Sequence, residues 1–446
     1  MSGYAAIPLE LHFAVVTGVL AFVTALYLAW RNSAPGRGDR VALQFNVSCL
    51  ATAWLVGVLL VSGMRSRAWE WFRPEPAPLT PIAAAPGVQP DLAAGWWNVV
   101  ALTPDGRLWR YGFAYPPTGG EEETLHASAV NMHQLGAGHR WLSFGSTDPQ
   151  VHAVRADGTL WHWGTPLEPD PDKPPGRLRR KPGSALNWER PNQIGSDTDW
   201  QTVASAYGHT AALKRDGTLW GWGSNRNGQL GQPDVDYVLD PIRIGSATNW
   251  TLIAAGPMNV LAANTDGEVW EWGWVGQPPR PSEDGNRRMP TGTRIASGMT
   301  WHKLFYTGRA CVGLTADGEV WVLRQWSHSP GPETPLRWHR QPTRDVDFGW
   351  EDVWSINQQG RLLHWFRPGW DPLAIEELDF RQVGGREDWL AVEVGPSYFG
   401  LTADGTLWSW GFEFGSQMEP WLPPSLRPRR VALLRADPSS SANGSE

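Results

Sequence analysis

Cysteine is nearly absent from this 446-residue chain, which has two, Cys49 and Cys311. Two distant cysteines build neither a disulfide framework nor a zinc cluster. Long tracts of one charge are missing too: 38 Lys and Arg are interspersed with 45 Asp and Glu for a net charge of -7. That balance excludes an electrostatic grip on nucleic acid. Catalytic signatures are also lacking. The 11 His form no His-Glu-x-x-His and no His-x-His, no Ser sits in a Gly-x-Ser-x-Gly elbow, and the glycines follow neither a Walker nor a dinucleotide pattern. The chain is therefore read as non-enzymatic, without catalytic residues, cofactor or metal.

In their place the chain has 30 Trp, 49 Gly and 38 Pro, a composition of short strands and turns. The phrase "DGTLWHWG" at 157 returns as "DGTLWGWG" at 216, "DGEVWEWG" at 266 and "DGTLWSWG" at 404. Asp-Gly turns fall at Gly106, Gly158, Gly217, Gly267, Gly318 and Gly405, with Gln359-Gly360 as a degenerate seventh copy. Each follows an apolar small-residue stretch and precedes a tryptophan strand, which predicts a hairpin on a left-handed turn. Stretches such as "WQTVASAYG" and "WTLIAAG" add another strand to each copy. One such sheet cannot bury both faces, and radial stacking removes its edges, so roughly 50 residues per copy predicts a propeller blade. Segment 426–434, "LRPRRVALL", is similar to "PIRIG" at 241 and is expected to complete the blade that begins at Asp91.

Alternation along a strand puts Trp161 with Trp163, Trp220 with Trp222, Trp270 with Trp272, and Trp408 with Trp410 on one face each. These pairs are expected to be blade core, packed on the next blade, with Leu160 and Leu219 on the other side. The Asp of each turn is expected to bond its own backbone.

The first ninety residues differ. Runs 9–30 and 41–64 are apolar and long enough for two transmembrane helices, since about 20 residues span a bilayer. The missing Lys or Arg before the first run, with Arg31, Arg37 and Arg40 after it, favours an outside N-terminus and a C-terminal domain beyond the cytoplasm. The expected order is a membrane region over 1–72, a Pro- and Ala-rich spacer over 73–90, a propeller over 91–436, and a disordered tail over 437–446.

The third copy, "GHTAALKRDGTLWGWGSNRNGQLGQP" at 208–233, resembles a repeat of the RCC1 family, the regulators of chromosome condensation. The resemblance rests on Gly-His-Thr, Asp-Gly-x-Leu-Trp-x-Trp-Gly, and Asn225, Gly228, Gln229, Leu230 and Gly231. It implies an all-β, seven-bladed propeller, here a bacterial, membrane-anchored one preceded by the helical hairpin. The family's nuclear exchange factor and its plant photoreceptor are poor guides: this chain has no basic targeting arm and no Gly-Trp-Arg-His-Thr motif. What remains is a rigid disc that binds another macromolecule.

Copy length varies mostly after the tryptophan strand, and loops at one phase leave a propeller on one rim. Segment 165–193 is the longest, with Arg177, Arg179, Arg180 and Lys181. Segments 113–134, 274–293, 326–345 and 366–380 bring Tyr115, Trp274, Trp326, Trp338 and Trp370. Aromatic and Arg side chains are the ones enriched at interface hot spots. The chain is therefore expected to be an inner-membrane scaffold whose rim loops engage a protein partner. A glycan or envelope polymer is the alternative ligand, and an enzyme with convergent carboxylates or histidines in the central channel is the third reading.

Overall fold

A computed structural model describes residues 76–435, apart from 96–97, 113–130, 148–149, 165–166, 170–177, 181–187, 189–190, 207, 233–234, 274–291, 308–309, 326–334, 340–341, 350–351, 367–379, 396 and 412–424. The apolar runs 9–30 and 41–64 and the tail 437–446 lie outside these residues. Among the described residues no helix is long and apolar enough to cross a membrane.

Each copy folds into a four-stranded antiparallel meander, and there are seven. The inner strands of blades 1 to 7 are Asp91–Ala94, Trp141–Thr147, Trp200–Ala206, Trp250–Ala255, Trp301–Tyr306, Thr343–Phe348 and Trp389–Val394. The outer strands are Asn131–Leu135, Asn192–Ile194, Tyr237–Arg243, Thr293–Ala296, Leu336–His339, Arg381–Gln382 and Ser425–Leu433. The second strands are small and wholly buried, as in His209–Lys214, Asn259–Asn264 and Ala310–Thr315. They lie in mid-blade between both neighbours, where larger side chains would hold the blades apart.

Seven apolar clusters fill the seven seams, including the one between blades 7 and 1, so the ring is closed. Trp163, Trp222, Trp272, Trp408 and Trp410 are buried there. Trp161, Trp220 and Trp270 sit half-buried against the same clusters. The blade they meet is the preceding one, not the next. Trp163 lies with Val100 and Leu108 of blade 1, Trp222 with Leu160 of blade 2, and Trp410 with Ile356 of blade 6. The opposite face of the strand, through Leu160 and Leu219, meets the blade that follows.

The Asp-Gly turn joins blades as well as strands. Gly158 has φ +86°, and its carbonyl accepts the Trp200 N–H that opens blade 3 at 3.0 Å. Gly106, Gly217 and Gly360 receive Trp141, Trp250 and Trp389 in the same way. Asp157, Asp216 and Asp404 accept the amide two residues on.

Ring closure differs from expectation. Ser425–Leu433 pairs with the third strand of its own blade 7, Leu407 opposite Ala432, rather than with blade 1. Blade 1 has its own outer strand, Asn131–Leu135. The tail still reaches the seam, where Leu434 N–H bonds the Gly405 carbonyl at 2.7 Å and its side chain packs with Leu92, Val99 and Trp109. The Pro-rich stretch is no free spacer over its described part, and the propeller unit begins at Pro76. Leu79 N–H donates to Asp404 at 3.0 Å, Ile82 N–H to the Ala403 carbonyl at 2.8 Å, and Ala85 N–H to the Pro104 carbonyl at 2.8 Å. The segment thus straps blade 7 to blade 1. Its anchor, Asp404, is buried against Arg386 at 2.8 Å; burial raises its carboxyl, but the bonds from Leu79 N–H, Thr402, Thr406 and Arg386 together hold it well below the usual range.

Candidate functional site

The meander gives the disc two unlike faces. Asp-Gly turns and blade-to-blade connections share one, while inner-to-second turns and every insertion after the tryptophan strand share the other. The insertion face is the candidate site.

One loop on it begins at residues 225–232, which carry the repeat signature. Asn225 is fully buried: its amide donates to the Gln232 and Val235 carbonyls at 2.8 and 2.7 Å, and its oxygen accepts Leu230 N–H at 2.9 Å. Leu230 enters the seam with blade 4. These residues shape the loop and leave little polarity to offer a ligand.

Segment 165–193 contains structure of its own. Leu167–Pro169 pairs antiparallel with Leu178–Arg180 in a separate two-stranded sheet, with Glu168 opposite Arg179. Toward its end Trp188 folds onto the seam of blades 1 and 2, where the buried Arg110 guanidinium lies 4.3 Å from its ring centroid. This cation–π contact pins the base of the insertion to blade 1.

Beneath the face a polar line crosses three blades. His209 of blade 3 donates from Nε2 to the Asn259 carbonyl of blade 4 at 3.1 Å, and Asn259 donates to Glu271 at 2.7 Å. From blade 5, Arg324 bonds Glu271 at 3.0 Å and the Cys311 thiol reaches it at 3.5 Å. Burial raises the Glu271 carboxyl above its ordinary range, opposed by Arg324, and holds His209 neutral down to about 4. The same cause, with Glu271 adjacent, pushes the Cys311 thiol well up, so it is a sealed thiol and no nucleophile. In blade 2, His152 is pushed down to about 3 by burial and bonds Ser205 at 3.2 Å across the seam.

Carboxylates do converge on the central channel. Asp91, Asp345, Asp347 and Glu393 stand on inner strands, with Lys303 among them. Their bonds explain them without a substrate. An inner strand presents an edge of unpaired amides, and Asp345 accepts Val392 N–H at 2.9 Å, Asp347 accepts Val394 N–H at 2.6 Å, and Glu393 accepts Ala94 N–H at 3.4 Å. Each thereby caps the edge of the following blade, as Ser143 caps Val203 N–H at 3.1 Å. Among the described residues no three His, Cys, Asp or Glu are placed to hold a metal ion.

Of the residues singled out for partner binding, Tyr115, Arg177, Lys181, Trp274, Trp326 and Trp370 lie outside the described residues. Arg179 and Arg180 fall on the hairpin strand, and Trp338 on the outer strand of blade 5 instead of a loop. Arg110, Glu271 and Trp188 were not anticipated. The signal for the first two is the residue between the paired aromatics of the third strand: strand alternation aims it at the following blade, and a charge there demands a partner.

Family models for the regulator of chromosome condensation (RCC1) repeat match residues 216–263 and 200–229. The E3 ubiquitin-protein ligase HERC2 of mouse, like that of human, is 27% identical over 155 residues. That stretch is 34% of this chain and 3% of each ligase, so the chain spans a small part of those relatives. Among solved structures, human WBSCR16 superposes with a TM-score of 0.53 at 18% identity, over 74% of this chain and 95% of that one. Prp20p of Saccharomyces cerevisiae, described with its binding to Gsp1p and histones, gives 0.45 at 16% identity, over 62% and 71%. Blades 3 and 4 thus carry RCC1 repeats over residues 200–263, and the same turn phrase recurs around the seven closed blades.

Proposed function

We propose that this chain is a non-enzymatic binding scaffold, held in a bacterial inner membrane by segments 9–30 and 41–64, whose insertion face takes a protein partner outside the cytoplasm. One observation carries the reading: every insertion into the repeat leaves the same face, and the longest adds a hairpin pinned to the disc by Trp188 and Arg110. The seams beneath are filled and their charged groups engaged with one another, which suits a rigid platform more than a reaction centre. The match to the RCC1 repeat over residues 200–263 agrees with a binding role.

A photo-crosslinking residue tests it at Met258, 40% exposed on the insertion face, against one at Arg215, exposed beside an Asp-Gly turn. In intact membranes the Met258 probe is expected to form a discrete protein adduct that weakens when 165–193 is shortened, while the Arg215 probe forms none. Equal adducts from both faces, or carbohydrate alone on the Met258 probe, would overturn the proposal. Alkaline extraction tests the anchor: recovery of the full chain in the soluble fraction sinks that part.

A further inference from the structure

The inner strands of blades 6, 7 and 1 gather more carboxylates than the channel can keep charged. Lys303 of blade 5 bonds Asp345 of blade 6 at 2.9 Å and reaches Asp91 of blade 1 at 3.4 Å. Two residues along from Asp345, toward the insertion face, stands Asp347, and from blade 7 comes Glu393. Among the described residues four carboxyl groups from three blades therefore face one ammonium. Like charges held together in a walled site do not all ionise. The ammonium balances Asp345, which bonds it most closely, and leaves Asp347, Glu393 and Asp91 in excess.

Asp347 and Glu393 are also the groups that cross the closing seams. Asp347 takes Val394 N–H of blade 7, and Glu393 takes Ala94 N–H of blade 1. A neutral carboxyl accepts such a bond through its carbonyl oxygen and adds no charge to the cluster; the other Asp347 oxygen, which accepts Phe348 N–H at 2.8 Å, is then the hydroxyl oxygen, accepting through a lone pair. Burial pushes the Asp347 carboxyl up to about 7 and Glu393 well above the carboxylate range, with Asp347 adding to the latter. Asp91 is raised by burial too, opposed by Lys303.

We propose that the seams joining blades 6, 7 and 1 form a proton-held latch: Asp347 and Glu393 bridge the closing blades as neutral acids, and their ionisation loosens the ring there. Both groups ionise in the unfolded chain near pH 4 and later in the fold, so their stabilisation is complete in acid and is lost as pH rises through 7.

The test is thermal unfolding of the full chain between pH 6.5 and 8.5, beside Asp347→Asn with Glu393→Gln and beside Glu393→Gln alone. The histidines pushed down by burial lose their influence above pH 6.5, which isolates the latch. The unsubstituted chain is expected to lose about 5 °C across this window. The double variant should lose a third of that or less, and Glu393→Gln should fall between. Amide exchange at Val394 and Ala94, corrected for base catalysis, should rise about tenfold from pH 6.5 to 8.5 in the unsubstituted chain and stay level in Glu393→Gln. Parallel pH profiles in all three proteins, or exchange at these amides that does not respond to pH, would overturn the latch.

Discussion

Replacing Gly158 by Ala separates two reasons why the repeat needs glycine after its Asp. The first is conformational: φ of +86° is left-handed backbone, which costs an L side chain about 1–2 kcal/mol. The second is steric, because a Cβ there would lie 2.0 Å from the Thr198 carbonyl oxygen and 2.7 Å from its carbon. Both atoms are backbone, in the connection that carries the chain into blade 3, so nothing flexible can yield. The turn and the connection must part, which breaks the 3.0 Å bond from Trp200 N–H to the Gly158 carbonyl. That adds about 1 kcal/mol for the bond and a further ~1 kcal/mol for loosened Trp200 packing, about 3–4 kcal/mol in all. Gly195 supplies the control: its φ is +64° and a Cβ there meets nothing within 4 Å. Gly195→Ala should therefore cost only the conformational part, about 1–2 kcal/mol. Urea unfolding followed by tryptophan fluorescence measures both, provided the slopes agree. Equal midpoints for the two variants would show that the turn alone demands glycine and that the blade joint at Gly158 has been misread.

Three further outcomes are expected. Trp163→Ala should destabilise by about 3–5 kcal/mol and Trp161→Ala by about half as much, because Trp163 is fully buried and Trp161 is not; equal losses by calorimetry would contradict the seam assignment. His152 and His209 stay neutral in the fold down to about 3 and 4. Their stabilisation is present above pH 6.5 and is lost as pH falls below it, so His152→Gln with His209→Asn should flatten the stability profile between pH 6.5 and 4 by up to about two protons. An unchanged acid limb would refute that. Trp188→Ala should leave the melting temperature within about 1 °C while speeding proteolysis inside 165–193 severalfold, since it frees the insertion without opening a blade; unchanged cleavage would mean that Arg110 does not hold the loop.

The repeat was legible because one phrase carries several requirements at once. Asp-Gly fixes the hairpin, the alternate tryptophans fix which face is buried, and the period fixes the number of blades. The direction of packing was not legible, since alternation separates two faces without saying which neighbour each meets. The closing strand was misplaced for a related reason. "RRVALL" is similar to "PIRIG" at 241 because both segments lie on outer strands, 425–433 and 237–243. That similarity reports a strand's role in a blade and not which blade owns it, and blade 1's own outer strand, "NMHQL", shares no feature with either. The strap was hidden by composition: proline signals extended chain equally well in a free linker and in a docked one. The residues expected to bind a partner lie in the least regular segments, where no period constrains a side chain, and of them Arg179 and Arg180 on the hairpin and Trp338 on the outer strand of blade 5 have a place in the described fold.

The buried charges follow a single rule that unites the seams with the channel. An inner strand leaves an unpaired edge, and in blades 3, 7 and 1 the preceding blade answers with a side chain: a hydroxyl from Ser143, and carboxyls from Asp345, Asp347 and Glu393. A hydroxyl caps an amide without adding charge, whereas three carboxyls together need an ammonium or a proton. Lys303 supplies the first to one of them. Asp345 and Asp347 lie at the seam of blades 6 and 7, and Glu393 lies at the next, where no chain connection runs from blade 7 to blade 1. Stability at these two neighbouring joints therefore depends on pH in a way that the hydroxyl-capped seam of blades 2 and 3 does not.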